Sequence, residues 1–331
     1  MLTARQNLLE TIKGGNPDRF VKQFEFMKII ANDPIRATYR APKKGELCVT
    51  NDWGYTRSFP EDQPAPFPVH DDKYLLVKDI TEWRDVFHAP SPKFSEAEWE
   101  PAIAAAEAVD RNEYFVANFQ APGLLEMMNY IMTMEETMIN FYEEPEEVHD
   151  LIKYLTEWEL EAARETCDHI HPDAVFHHDD WGSQKSTFFS PDMFEEFFLD
   201  AYKSIYGYYK ERGVEVVVHH SDSYGATLIP TMIEMGIDIW QGVMRTNDIK
   251  ACIDQYGGKI SFMGGVDSAL VDHPGWTMEE VEKEVRYACE TFGADKKFFI
   301  PCASQGGAMS TFPGVYEAVS DEIEKMSKEM F

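Results

Sequence analysis

From residue 113 onward the chain alternates short apolar runs with longer amphipathic stretches. Six of the runs, at 114–118, 174–178, 215–219, 237–241, 260–264 and 297–301, have the length and continuous apolar character of buried parallel strands. Helical patterns lie between them, at 143–169, from Ser190-Pro191-Asp192 onward, and at 226–235, 278–292 and 313–330. Ser190 is suited to cap its helix, with Pro191 at the first helical position. Such alternation predicts a parallel α/β fold. No glycine-rich dinucleotide fingerprint follows any of the runs, which favours a (β/α)8 TIM barrel over an open sheet. With six strands visible, the remaining two are expected from the N-terminal third. That third is irregular: an amphipathic helix around Leu8, Leu9 and Ile12, a hairpin pattern at 45–56 and an extended proline-rich loop at 64–68. The whole of 1–331 is expected to be a single barrel domain, with 1–110 supplying the helix, the hairpin and a candidate lid.

The runs share a second pattern. Five of the six end, on the C-terminal side, in polar or small residues: His177-His178-Asp179-Asp180-Trp181-Gly182, His219-His220-Ser221-Asp222, Gln241-Gly242, Gly264-Gly265-Val266-Asp267, and Cys302-Ala303-Ser304-Gln305-Gly306-Gly307. In a (β/α)8 barrel these ends surround the active site. His220 and Asp222 are two apart, so on a strand both face one side. With Cys302 they form a candidate zinc set of imidazole, carboxylate and thiolate. His219 competes with His220 for that role, since alternation weakens at a strand's end. The alternative is structural: paired histidines bonded in the core, Asp222 as a helix cap and Cys302 as a small buried apolar residue. Asp179 and Asp180 are candidates for proton transfer or for binding substrate hydroxyls, against a capping role. His178, Gln241, Asp267 and Gln305 are candidate pocket residues. Trp53 and Trp181 are candidates for sandwiching an aromatic ring, or for the core. The paired glycines fit either a ligand's close approach or tight turns.

Composition narrows the options. The 331 residues carry 30 Lys and Arg against 59 Asp and Glu, a formal charge of −29, with no basic stripe, so nucleic acid and anionic membranes are unsuited partners. The five cysteines are scattered without a Cys-x-x-Cys pair, as in a reduced, cytoplasmic protein. No apolar run has the length of a signal peptide core or a membrane span. The sixteen methionines, Met127, Met128 and Met132 among them, are expected as core filler.

The order and spacing of several blocks resemble the uroporphyrinogen-decarboxylase-like superfamily. Asp179-Asp180-Trp181-Gly182 with Ser190-Pro191-Asp192-Met193-Phe194 resembles its "DDWG…SPxxF" block. His220-Ser221-Asp222-Ser223 followed by Leu228-Ile229-Pro230 and Glu234-Met235-Gly236-Ile237-Asp238 resembles "HSCG…lipdLiElGvD", and Gly264-Gly265-Val266-Asp267 resembles "GGiD". Ala4-Arg5-Gln6-Asn7-Leu8 with Pro17-Asp18-Arg19 looks like the superfamily's opening helix and turn. The enzymes that decarboxylate uroporphyrinogen carry an arginine-rich "MRQAGRY" block, and 19–26 here reads Arg-Phe-Val-Lys-Gln-Phe-Glu-Phe without it. A substrate with eight carboxylates needs paired cations, so porphyrinogen decarboxylation is disfavoured.

The superfamily's other branch, zinc-dependent corrinoid-linked methyltransferases, uses a His-x-Cys pair and a distant Cys when it acts on thiols. His220-Ser221-Asp222 occupies the place of the pair and Cys302 lies near that of the distant Cys. A carboxylate in place of a thiolate makes a harder Lewis acid, suited to oxygen. The resemblance therefore implies an O-demethylase-type methyltransferase. Zinc on His220, Asp222 and Cys302 would polarise a small, aromatic methyl ether, whose methyl group passes to the cobalt(I) corrinoid of a partner protein. No Asp-x-His-x-x-Gly corrinoid signature is present, so that cofactor is expected on the partner. Two alternatives stand beside it. One is a metal-free decarboxylase or lyase, for which Arg245 is the single candidate cation. The other is a non-catalytic tetrapyrrole binder. The methyl donor and the oligomeric state, a homo-oligomer included, are left open.

Overall fold

The computed structural model describes residues 1–63, 65–303, 307 and 310–331. All six apolar runs form strands of one parallel sheet, joined by a seventh from the N-terminal third. In order these are β1 (Met27–Ile29), β2 (Phe115–Gln120), β3 (Ala174–His178), β4 (Val216–His220), β5 (Ile239–Val243), β6 (Ser261–Val266) and β7 (Phe299–Ala303). Sheet order follows chain order, and every pairing is parallel. Helices fill the connections: α1 (Ala4–Ile12) precedes β1, α2 (Leu124–Ile131) and α3 (Pro145–Ile170) follow β2, and α4 (Asp200–Glu211) follows β3. Then come α5 (Ile229–Met235), α6 (Ile249–Tyr256), α7 (Met278–Thr291) and α8 (Val315–Met330). Their starts follow capping rules. Ser190 Oγ accepts from Met193 N ahead of the short helix at Pro191, and Thr277 with Glu280 forms a capping box ahead of α7.

Only one of the two extra strands expected from the N-terminal third joins the sheet. The hairpin region instead forms a separate antiparallel sheet of Val49–Thr50, Thr56–Ser58 and Phe67–Pro68. Pro60, Pro66 and Pro68 lack the amide donors a central strand requires, which keeps this stretch out of the parallel sheet. Neither an eighth parallel strand nor a β1–β7 pairing occurs among the described residues.

The sheet is nevertheless curled like a barrel, and α1 shows it. Arg5 N donates to Glu113 O just before β2, while Thr11 O accepts from Phe298 N just before β7. Six helical residues span ~9 Å. In a flat sheet those two strands would stand ~24 Å apart, five spacings of ~4.8 Å. The helix therefore bridges strand entrances that only a curl brings together. The N-terminal segment is also fastened to α8: Phe20 N donates to Ser327 Oγ (3.0 Å), Gln23 Nε2 to Tyr316 O (2.9 Å), and Lys22 pairs with Glu324 (2.8 Å).

Alternation along the strands separates two cores. Inside the curl lie Phe115, Ala117, Ala174, Phe176, Val216, Val218, Ile239, Met263, Ile300 and Cys302. Outside, Val175, Val217, Trp240, Phe262 and Phe299 meet the helices, chiefly Tyr202, Tyr206 and Tyr209 of α4 and Ala288 of α7. The inner series, extended by two residues, reaches Phe119, His178, His220 and Gln241 at the C-terminal mouth. No helix among the described residues is long and apolar enough to cross a membrane.

Candidate active site at the mouth of the curled sheet

Strand register brings the inner polar residues into one row. His178 lies opposite His220, and His220 opposite Gln241. The two imidazoles stack with centroids 4.3 Å apart and planes 16° from parallel. Asp180, two residues beyond His178, brings a carboxylate oxygen to 4.0 Å from His220 Nε2. His178, Asp180 and His220 place one donor atom each within 4.8 Å of one another, and they are the one such group of three metal-binding side chains among the described residues.

Both rings are held from behind. His178 Nδ1–H donates to Glu126 Oε2 at 2.8 Å, and His220 Nδ1–H donates to Gln241 Oε1. That leaves each Nε2 turned to the cluster, where a neutral ring presents its lone pair, as in metal sites whose histidines are anchored by a carboxylate or amide; at His178 a metal would have to displace the Nε2 proton. Two imidazoles, one carboxylate and an open side match the donor set of a catalytic zinc site. The electrostatics are asymmetric. Burial pulls His178 down, but the Glu126 charge and hydrogen bond, with Asp180 and Asp179 nearby, outweigh it and hold the ring up at about 10. His220 is pushed down to about 4 by burial and by the charge on His178.

Several residues predicted for the site are placed differently. Cys302 is not with the histidines. It belongs to the inner apolar core, its Sγ receives Gln241 Nε2 at 3.9 Å, and burial pushes the thiol up to about 12. Asp222 lines the cavity half-buried, but it is Asp180 that joins the cluster, accepting Asp222 N at 3.0 Å. Burial and the Asp180 charge push Asp222 up to about 7, with His178 opposing. The choice between the paired histidines follows strand parity. His219 faces outward, donating from Nε2 to Asp179 O (3.1 Å) and accepting Tyr206 Oη at Nδ1 (2.7 Å). Burial holds it well below the ordinary histidine range.

Asp179 is fully enclosed. Its carboxylate accepts Glu126 N (2.9 Å), Leu125 N (3.1 Å), Trp181 Nε1 (3.0 Å) and Tyr202 Oη, so it caps α2 from the end of the neighbouring strand. Burial and the Glu126 charge raise it to about 7. Gly123 makes this approach possible, since a Cβ there would sit 2.4 Å from Asp179 Cβ. Trp53 and Trp181 are core residues: Trp53 stacks on Tyr39 (5.0 Å) and meets Trp158 edge-on (4.5 Å), while Trp181 stacks on His219 (3.8 Å). Gln241 lies behind His220, and Asp267 caps Ser268–Val271 through Ala269 N. Gln305, with Ser304 and Gly306, lies outside the described residues. Gly242 and Gly264 serve the sheet itself: Gly242 (φ +95°) is the extra residue of a bulge in β5, and Gly264 leaves room for the Val243 backbone beside it.

The cluster opens into a cavity of about 480 Å³. Its apolar walls are Phe24, Ile29, Ala65, Phe119 and Phe176, the last two stacked at 5.5 Å. A second cavity of about 440 Å³ adjoins it and shares Phe119, His178 and Ser310. Its lining includes Arg36, Arg40 and Arg57, with Tyr39, Tyr55, Tyr130 and Glu126. Sequence reasoning missed these arginines. It looked for cations in 19–26, whereas Arg36 and Arg40 stand further on, in and just after the short Pro34–Thr38 helix. Glu126 was missed too, although it is the single charge within the apolar stretch 124–132. Arg245, the predicted cation, is tied to Glu284 and to Gly265 O.

No curated protein matches the chain. Among solved structures, a methyltransferase from Methanosarcina mazei superposes with a TM-score of 0.65 at 15% identity, covering 98% of this chain and 99% of that one; this is a likeness of fold. A GH5-4 broad-specificity endoglucanase from Clostridium longisporum covers 94% and 97% at 10% identity, but its TM-score of 0.42 carries no argument. The uroporphyrinogen decarboxylase (URO-D) family model matches residues 95–326, which hold strands β2 to β7 and the whole histidine–carboxylate cluster. On that match the chain belongs to the uroporphyrinogen decarboxylase family.

Proposed function

We propose that the protein is a zinc-dependent methyltransferase on a (β/α)8-type barrel. It would remove the methyl group of a small aromatic methyl ether and pass it to the cobalt(I) corrinoid of a partner protein. The observation that carries this reading is the gathering of His178, Asp180 and His220 at the mouth, with both Nδ1 atoms tied off. These three residues would hold the metal, in place of the set read from the sequence. Zinc bound there supplies a Lewis acid for an ether oxygen. A nitrogen and oxygen donor set without thiolate favours oxygen over sulfur substrates. The chain's own contribution is positional. Glu126 and Gln241 fix the two rings, Asp180 adds the single negative charge of the donor set, and the stacked Phe119 and Phe176 offer an apolar wall for an aromatic ring while excluding water. The likeness in fold to a methyltransferase supports the same reading.

The test is metal content followed by turnover. Purified protein should carry about one zinc per chain and methylate free cob(I)alamin from a methoxylated aromatic compound. A chain that stays metal-free when zinc is supplied removes the proposal. A second reading, a lyase acting on carboxylic acids without metal, draws support from the three arginines beside the cluster. Carbon dioxide release by chelator-treated protein would favour it.

A further inference from the structure

The chain has eleven arginines in a background of 59 acidic residues. Eight of them are ion-paired: Arg5, Arg19, Arg84, Arg111, Arg164, Arg212, Arg245 and Arg286. The remaining three, Arg36, Arg40 and Arg57, have no carboxylate within 4.0 Å among the described residues, and all three line the second cavity. In so acidic a protein, the collection of every unpaired guanidinium in one concavity calls for an anion that is not part of the chain.

Atomic detail supports this. Arg36 Nη1, Arg57 Nε and Tyr55 Oη are buried and lack a hydrogen-bond partner among the described residues. Buried donors are ordinarily satisfied, and charged ones most of all. The guanidinium planes are held by other contacts. Arg36 lies over the Phe119 ring at 4.5 Å, and Arg57 donates Nη2 to Tyr39 O at 2.8 Å while resting between Tyr55 and Tyr130. Two carboxylates also line the cavity, but neither forms an ion pair with an arginine. Asp33 caps the Pro34–Thr38 helix through Arg36 N and acts on Arg36 through its charge alone, without an ion-pair contact within 4.0 Å, and its Oδ2 is likewise buried without a partner among the described residues; Glu126 is engaged with His178.

The geometry points to a carboxylate-binding subsite, formed by Arg36, Arg57 and Tyr55 with Arg40 at its rim, that receives the acid group of the substrate. The shared wall at His178 and Phe119 lets one flat molecule lie across both cavities, with its acid group in the clamp and its ether oxygen at the histidine cluster. The substrate class is then a methoxylated aromatic acid rather than a neutral ether, an assignment that rests on the methyltransferase reading. A planar monoanion matches two guanidinium forks, and a formal charge of −29 disfavours a phosphate dianion.

The experiment is calorimetric binding of 4-methoxybenzoate, methoxybenzene and inorganic phosphate to the full chain, without turnover. The acid should bind at least about tenfold more tightly than the neutral ether, and Arg57→Gln should erase that margin. Arg57→Lys should restore part of it, and Arg40→Gln serves the same comparison should the Arg57 variants fail to fold. His220→Ala should keep the preference for the acid, so a failed methyltransferase reading and a failed clamp remain separable. Equal affinity for acid and ether in the wild type, or phosphate bound in preference to the acid, overturns the assignment.

Discussion

His178 and His220 sit side by side on adjacent strands, ring over ring, and each is anchored from a different direction: His178 by Glu126 of α2, His220 by Gln241 of β5. The cluster therefore depends on four separate segments of chain, β3, β4, α2 and β5, holding their places. Removing either anchor should leave the fold intact but let one ring rotate. Glu126→Ala and Gln241→Ala are each expected to weaken zinc binding about 10- to 100-fold, read by competition with a chelator of known affinity. Unchanged affinity in both variants would show that the rings need no outer support.

Cys302 and His220 should behave oppositely. His220→Ala is expected to lose stoichiometric metal. Cys302→Ala should keep it, with an affinity change below about tenfold through the loosened Gln241, and should cost roughly 1–2 kcal/mol of stability for the small cavity it leaves. Elemental analysis of the two proteins after dialysis decides the matter, and metal lost from Cys302→Ala would return the thiolate to the ligand set.

Asp179→Ala addresses folding rather than chemistry. The substitution strands two amides at the start of α2, the Trp181 indole and the Tyr202 hydroxyl, all but the half-buried Glu126 amide enclosed. A loss of about 3 kcal/mol is expected in urea unfolding. A midpoint unchanged from wild type would contradict the capping role.

Thiol labelling offers a check on burial. Cys48 is exposed, whereas Cys167, Cys252, Cys289 and Cys302 are buried. Burial raises Cys167 and Cys252 to about 11, Cys302 to about 12, and Cys289 further still. At mildly alkaline pH one thiol per chain should react with a maleimide promptly, and the other four only after denaturant is added.

What the sequence made legible was the scaffold and the face that carries the site. The six apolar runs all became strands, yet most extend one or two residues beyond where the pattern ended. Backbone pairing continues through His220, Gln241 and Cys302 because the ladder is indifferent to side-chain polarity. Parity was readable as well: the spacing that made His220 and Asp222 a pair applies equally to His178 and Asp180, and the structure takes both members from the second pair but one from the first. What spacing does not encode is depth. Cys302 and Asp179 carry reactive groups at the right strand ends, but one is wrapped by apolar neighbours and the other by four donors. The arginine clamp was harder still, because Arg36 and Arg57 come from an irregular segment with no period to place them.

The bridge made by α1 bears on how the molecule comes into being. Helix α1 is synthesised before the partners it bonds, Glu113 and Phe298, and the residues just after it fasten to Tyr316, Glu324 and Ser327. Those contacts join segments up to 307 residues apart, so during synthesis α1 must wait, its apolar face unburied, until β7 and α8 have emerged. Docking of the last strands onto α1 is then a late, slow event, and a nascent chain halted before β7 should be a client for holding chaperones.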